Sequence, residues 1–154
     1  MALSMITPDL DAVVSEIDIA APPERVFKSL IDPDEIRRRS PNLESFDMDP
    51  RVGGKWFFEV RCPQPYHGVS LIRHEGKILV VEPPKLLVYT WLANFHKDPK
   101  MKTTVRWELT PTKDGTHVKL THSGLAQEPD AAKDYAGGWP GVLDELKKFL
   151  EKSK

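Results

Sequence analysis

Between Leu43 and Ser123 the sequence alternates with a period of two, and only one long amphipathic segment follows to cover what that alternation exposes. The stretches ESFDM, KWFFEVRC, HGVSLIRHEGKILVVEP, KLLVYTWL, TTVRWELTP and THVKLTHSG read as six strands. Their joints carry turn chemistry, in DPRVGG, EPPK, NFHKDPKM and TKDG. The third strand is long enough to need a bulge or bend near Glu75-Gly76, where a glycine relieves the backbone. An antiparallel sheet of this size must cover its apolar face. The expected solution is an α+β fold in which a curved sheet of six to seven strands wraps around one C-terminal helix.

The chain before this run supplies the seventh strand, in VVSEIDIA, where Val13, Ser15, Ile17 and Ile19 share a face. Then APPERVFKSLID places Pro22 and Pro23 where a helix tolerates them, with Val26, Phe27, Leu30 and Ile31 as its apolar side. A second short helix is expected at DPDEIRRRS, ending before Pro41. The final helix is expected from about Pro129 to Lys152, burying Tyr135, Trp139, Val142, Leu143, Leu146, Phe149 and Leu150. Its front, YAGGWPG, is a poor helix former. Pro140 cannot donate to the carbonyl of Ala136, which costs about 3 kcal/mol in a helix interior. Either a short helix stops at Gly137-Gly138 and Pro140 opens a new one, or one helix kinks there. Both readings aim Trp139 at the sheet, with the glycines giving close helix–sheet contact or leaving space at a cavity.

Composition excludes several classes. At 154 residues the chain is expected to form one domain, 1–154, with its core in 13–150. A formal net charge of -1 recruits neither nucleic acid nor acidic lipid. The single cysteine, Cys62, ends an expected strand, precludes an internal disulfide and suggests a reducing compartment. No apolar run approaches the roughly 20 residues of a membrane span, and the N-terminus lacks a signal-peptide pattern, so a cytoplasmic location is expected. The five histidines, at 67, 74, 96, 117 and 122, lack metal-ligand spacing, and no cofactor motif occurs; neither metal nor cofactor is expected. Arg37-Arg38-Arg39 reads as a solvated helix face, and Arg73 and Glu75 as residents of an exposed strand edge.

In order and spacing, DPRVGGKWFF, VVEPPKLLVYTW, TVRWELTP, GTHVKLTHSGL and GGWPGVLDELKKFL resemble the START-like, or SRPBCC, superfamily. Within it they look most like the branch named for homologues of the heat-shock protein 90 ATPase activator, and IDIAAPPERVFKSLIDPDEIRRR fits the same branch. The resemblance implies the helix-grip (Bet v 1-like) fold, with a cavity between sheet and C-terminal helix. Two departures stand out. Many members carry a tryptophan soon after the second short helix, where this chain has Arg37-Arg38-Arg39-Ser40-Pro41, and Pro140 after the glycine-tryptophan pair is unusual.

Alternation and helical spacing give the residues that would line the cavity the resemblance implies, or fill a core in its place: Trp56, Phe58, Tyr89, Trp91, Trp107, Leu120, His122, Tyr135 and Trp139. His122 shares a face with Val118 and Leu120, where a histidine could anchor a ligand or move a proton, and Tyr89 and Tyr135 could donate phenolic hydrogen bonds. The function expected is the binding of a small apolar or amphipathic molecule. The alternatives are a cyclase-, lyase- or hydrolase-type enzyme acting through His122 and a tyrosine, or a co-chaperone-like interaction module. Monomer and homodimer both remain open.

Overall fold

The computed structural model of the chain describes residues 2–98 and 100–152. Pro99, in the expected NFHKDPKM turn, lies outside them. Eight strands and three helices occur among the described residues: β1 (Leu3–Ile6), β2 (Val13–Ile19), α1 (Pro23–Ile31), α2 (Pro33–Arg39), β3 (Leu43–Met48), β4 (Lys55–Tyr66), β5 (Val69–Glu82), β6 (Leu86–Ala93), β7 (Thr103–Pro111), β8 (Thr116–Ser123) and α3 (Pro129–Lys152). The strands form one antiparallel sheet in the order β1-β2-β8-β7-β6-β5-β4-β3. It is curved and unclosed, and its inner face grips α3, which is the helix-grip architecture.

Period two decides what faces α3. In β8 the buried residues are Thr116, Val118, Leu120 and His122, and in β7 they are Thr103, Val105, Trp107 and Leu109. From α3, Tyr135, Trp139, Leu143, Leu146 and Leu150 point into the same core at helical spacing. Pro23 opens α1 behind Pro22, and the Asp32 carboxylate caps α2 by accepting from the Asp34 amide at 2.9 Å.

Four sequence expectations change. The first strand, β1, falls in a segment to which no element was assigned; it adds an eighth strand on the edge of β2, register Leu3↔Glu16 to Ile6↔Val13. Strand β4 runs past Cys62 to Tyr66, and His67 and Gly68, both at positive φ, close a hairpin onto β5. Arg73 and Glu75 lie within the sheet on its outer face, not at an edge, and pair at 2.6 Å. The fourth change concerns the glycines of α3; the helix itself spans Pro129–Lys152 as expected, and of the two readings it is the unbroken one that holds at Pro140. Gly137 and Gly138 are exposed, and a Cβ on either would meet nothing within 4 Å. They neither permit close packing nor open the cavity, because the helical phase that turns Tyr135, Trp139 and Leu143 inward turns them outward. Continuity is possible because of β1: Ser4 Oγ donates to the Ala136 carbonyl at 3.0 Å, replacing the amide that Pro140 lacks.

Gly76 is a close-approach glycine. A Cβ there would run into the Thr90 carbonyl, which accepts from the Trp56 indole N–H at 3.0 Å. The Lys77 amide donates to Thr90 Oγ1 at 2.9 Å, so the ladder is already bent here before its register shift between Ile78 and Val80. Replacing Gly76 by Ala is expected to cost about 1–3 kcal/mol in chemical denaturation, as overpacking does.

Candidate functional site

The sheet and α3 do not meet everywhere. At the end where β3 and β4 curl toward α2 they leave a cavity of about 250 Å³. Its floor is aromatic: Trp56 and Phe58 from β4, Tyr89 and Trp91 from β6, Trp107 from β7, and Trp139 from α3. Phe46 and Met48 of β3, Leu30 of α1 and Ile36 of α2 close the sides. Alternation builds the floor, because each of these strands sends every second side chain inward. Trp91 is the hub. Its ring centroid lies 5.2 Å from those of Trp56 and Trp139 and 4.4 Å from that of His74.

Six of the nine nominated residues border this space: Trp56, Phe58, Tyr89, Trp91, Trp107 and Trp139. Leu120, His122 and Tyr135 do not. They lie in the packed core instead, His122 and Tyr135 against the Trp91 ring, so sharing the concave face was not enough to reach the void.

His122 illustrates why. The Trp139 indole donates to its Nδ1 at 3.1 Å, so Nε2 carries the hydrogen and donates to Thr103 Oγ1 at 2.7 Å. Thr103 in turn donates to the Trp91 carbonyl at 3.1 Å. Both ring nitrogens are spent, and burial holds His122 neutral with a pKa well below the ordinary value. Tyr135 is similarly occupied: its Oη accepts from Trp91 Nε1 at 2.9 Å and lies 2.6 Å from His96 Nε2, and burial pushes its pKa up. Packed against the same rings are two histidines that the sequence reading left unassigned, His74 on Phe58 and Trp91 and His96 on Tyr135. His74 is buried with neither ring nitrogen bonded, and burial depresses its pKa to about 3; His96 Nδ1 is also without a partner. Among the described residues no cluster of histidine, cysteine and carboxylate could hold a metal.

The polar side of the cavity comes from α2 and the turn after it. Arg39, Ser40 and Asn42 border it with Glu145 of α3. Arg39 is therefore not part of a solvated face as its neighbours are. Arg38 is exposed, and Arg37 reaches out to Asp34 at 2.9 Å and to the Phe46 carbonyl at 2.7 Å. Arg39 lies three residues after buried Ile36, on the same helix side, and turns inward with it. Its Nη2 donates to the Ser29 carbonyl at 3.2 Å, its Nε is buried without a partner, and desolvation lowers its pKa to about 10. The i, i+3 relation to Ile36 was the signal that could have found it.

The chain has relatives of known structure. Protein MLL2253 of Mesorhizobium loti is 29% identical over 93% of this chain and 98% of its own, with a TM-score of 0.73. A Rhodobacter sphaeroides protein is 18% identical over 100% of both chains at TM-score 0.77. CalU16 of Micromonospora echinospora is 23% identical over 97% of this chain and 83% of its own, at TM-score 0.67. No curated protein matches the sequence. No helix among the described residues is long and apolar enough to cross a membrane. The family model described as activator of Hsp90 ATPase homolog 1-like protein matches residues 20–151, and the chain, with its helix-grip sheet and START-like order of elements, belongs to that family.

Proposed function

We propose that this protein binds a small, ring-bearing and largely apolar molecule in the cavity between β3, β4, β6, α2 and α3. The observation that carries this reading is the unfilled space of about 250 Å³ whose floor is built almost wholly of aromatic rings. Close-packed interiors leave few voids larger than a water. An apolar cavity of about 150 Å³ already accepts benzene, so this one suits a somewhat larger, two-ring body. Proteins of this fold family generally hold small molecules, which supports the reading. Binding is favoured over catalysis because His122 has no free nitrogen and does not border the space. Nothing in the geometry favours a co-chaperone role over a ligand held in the cavity.

All four tryptophans of the chain line the cavity, so intrinsic fluorescence reports directly on its contents. A saturating ring-bearing ligand at about 100 times its Kd should add about 2.7 kcal/mol and raise Tm by several degrees while shifting tryptophan emission. Val142 borders the same space, and Val142→Trp should fill it. That variant is expected to keep native circular dichroism and lose both responses. A variant that still responds as the native protein does would place the ligand elsewhere.

A further inference from the structure

Arg39 presents an unusual arrangement: a cation at the border of an aromatic cavity with no carboxylate in ion-pair contact, Glu145 and Glu35 acting on it only from farther off. Among the described residues it forms no ion pair; Glu35, the nearest buried carboxylate on its own helix, is taken by Arg25 at 2.6 Å and Lys28 at 3.6 Å. Of its five N–H donors, one is given to the Ser29 carbonyl and the buried Nε is given to nothing. Tyr89 borders the same cavity, and its Oη accepts from Trp107 Nε1 at 2.9 Å. The hydroxyl hydrogen of Tyr89 goes to no described residue. Two unspent donors on adjoining walls of an apolar space are costly unless something accepts from them.

We infer that Arg39 and Tyr89 are the polar anchor of the cavity, and that its ligand is an aromatic-bodied molecule carrying one strong acceptor oxygen, a ketone or a carboxylate. The inference rests on the ligand-binding reading above and names the chemical class that reading leaves open. The apolar body lies over Trp56, Trp91 and Trp139. The acceptor head turns toward α2 and takes hydrogen bonds from the guanidinium and the phenol. A purely hydrocarbon molecule leaves the guanidinium no better satisfied than the empty cavity does, and a lone hydroxyl is a weaker acceptor than a ketone or carboxylate oxygen. Glu145 shares the rim, with Ser40 Oγ donating to its Oε2 at 3.4 Å, and its charge weighs against an anionic head but not a ketone.

The test compares three probes with the same two rings: 2-methylnaphthalene, 2-acetylnaphthalene and 2-naphthoic acid, titrated into the native protein by calorimetry at neutral pH. The anchor predicts that the ketone, the acid or both bind about tenfold or more tightly than the hydrocarbon. Hydrophobic burial alone predicts the opposite order, because a polar head loses its water on entry. Arg39→Met should bring that preference to one or below, and Tyr89→Phe should reduce it severalfold; thermal unfolding of each variant reports whether it is folded. Equal affinities for all three probes in the native protein overturn the anchor while leaving the cavity reading in place. A preference that survives in folded Arg39→Met overturns it too. Failure of all three probes, hydrocarbon included, removes the cavity reading and the anchor with it.

Discussion

Acidification from pH 7 to pH 5 should destabilise this protein more steeply than protonation of its surface carboxylates explains, and His74→Phe should flatten that dependence. His74 is buried among Phe58, Trp91 and Phe95, its ring 4.5 Å from Phe58 and 4.4 Å from Trp91, with neither nitrogen bonded. Burial holds its pKa at about 3, with the neighbouring His96 pushing the same way. The unfolded chain titrates near 6.5, so below that pH the unfolded state binds a proton that the folded state refuses. Stability is present above about pH 6.5 and is lost as the pH falls toward 3. For His74 alone the loss between pH 7 and pH 5 is about 2 kcal/mol. His122, also fully buried and lowered, and His96, lowered mainly by its burial, add in the same direction. His117 opposes them weakly. Hydrogen bonds to Glu16 and Asp18 raise its pKa, so its contribution is complete below 6.5 and fades as the pH rises. Urea denaturation at pH 7, 6 and 5 measures the slope. His74→Phe should remove up to one proton from it. The same variant should gain stability at pH 7, since it replaces an unsatisfied buried polar ring with an apolar one of similar shape. An unchanged pH slope in that variant would show that His74 takes up its proton in the folded protein over the same range as in the unfolded chain.

The same residue shows how far the sequence could be read. The order of elements along the chain and the helix-grip form were legible because alternation over β3 to β8 and the 3.6-residue spacing of α3 follow directly from how each element buries one side. Alternation also nominated Leu120 and His122 together with Trp107 and Tyr89, since all four face inward. It could not separate packed layer from cavity wall, because that depends on where the sheet curls away from α3. His74 was within reach: Arg73 and Glu75, both turned outward, put it inward by the same rule. Arg39 was hidden by its two exposed neighbours in a basic run. The role of β1 could not be read from MALSMIT, a stretch with no alternation worth trusting. Its reason for being there lies far along the chain, at the Ala136 carbonyl that Pro140 leaves unpaired.

Trp139→Ala should be among the most damaging single substitutions, at about 3–5 kcal/mol, and Trp139→Phe should separate its two contributions. The indole is 5% exposed and packs edge-on to Trp107 and His122, so truncation enlarges an existing void and loses most of its dispersion contacts. It also loses the N–H that fixes His122. With Trp139 in place the chain of bonds runs one way, from indole to Nδ1, from Nε2–H to Thr103, and from Thr103 to the Trp91 carbonyl. Phenylalanine keeps most of the ring but leaves Nδ1 buried without a donor, which costs about 1–3 kcal/mol by itself. Nitrogen-15 spectra of the imidazole should show a single Nε2–H tautomer in the native protein and a mixed one in Trp139→Phe. If Trp139→Phe proves as stable as the native protein, with an unaltered tautomer, then the bond to His122 does not orient that ring. Trp139 would then contribute through packing alone, and the wall between cavity and histidine layer would be held by shape rather than by a directed network.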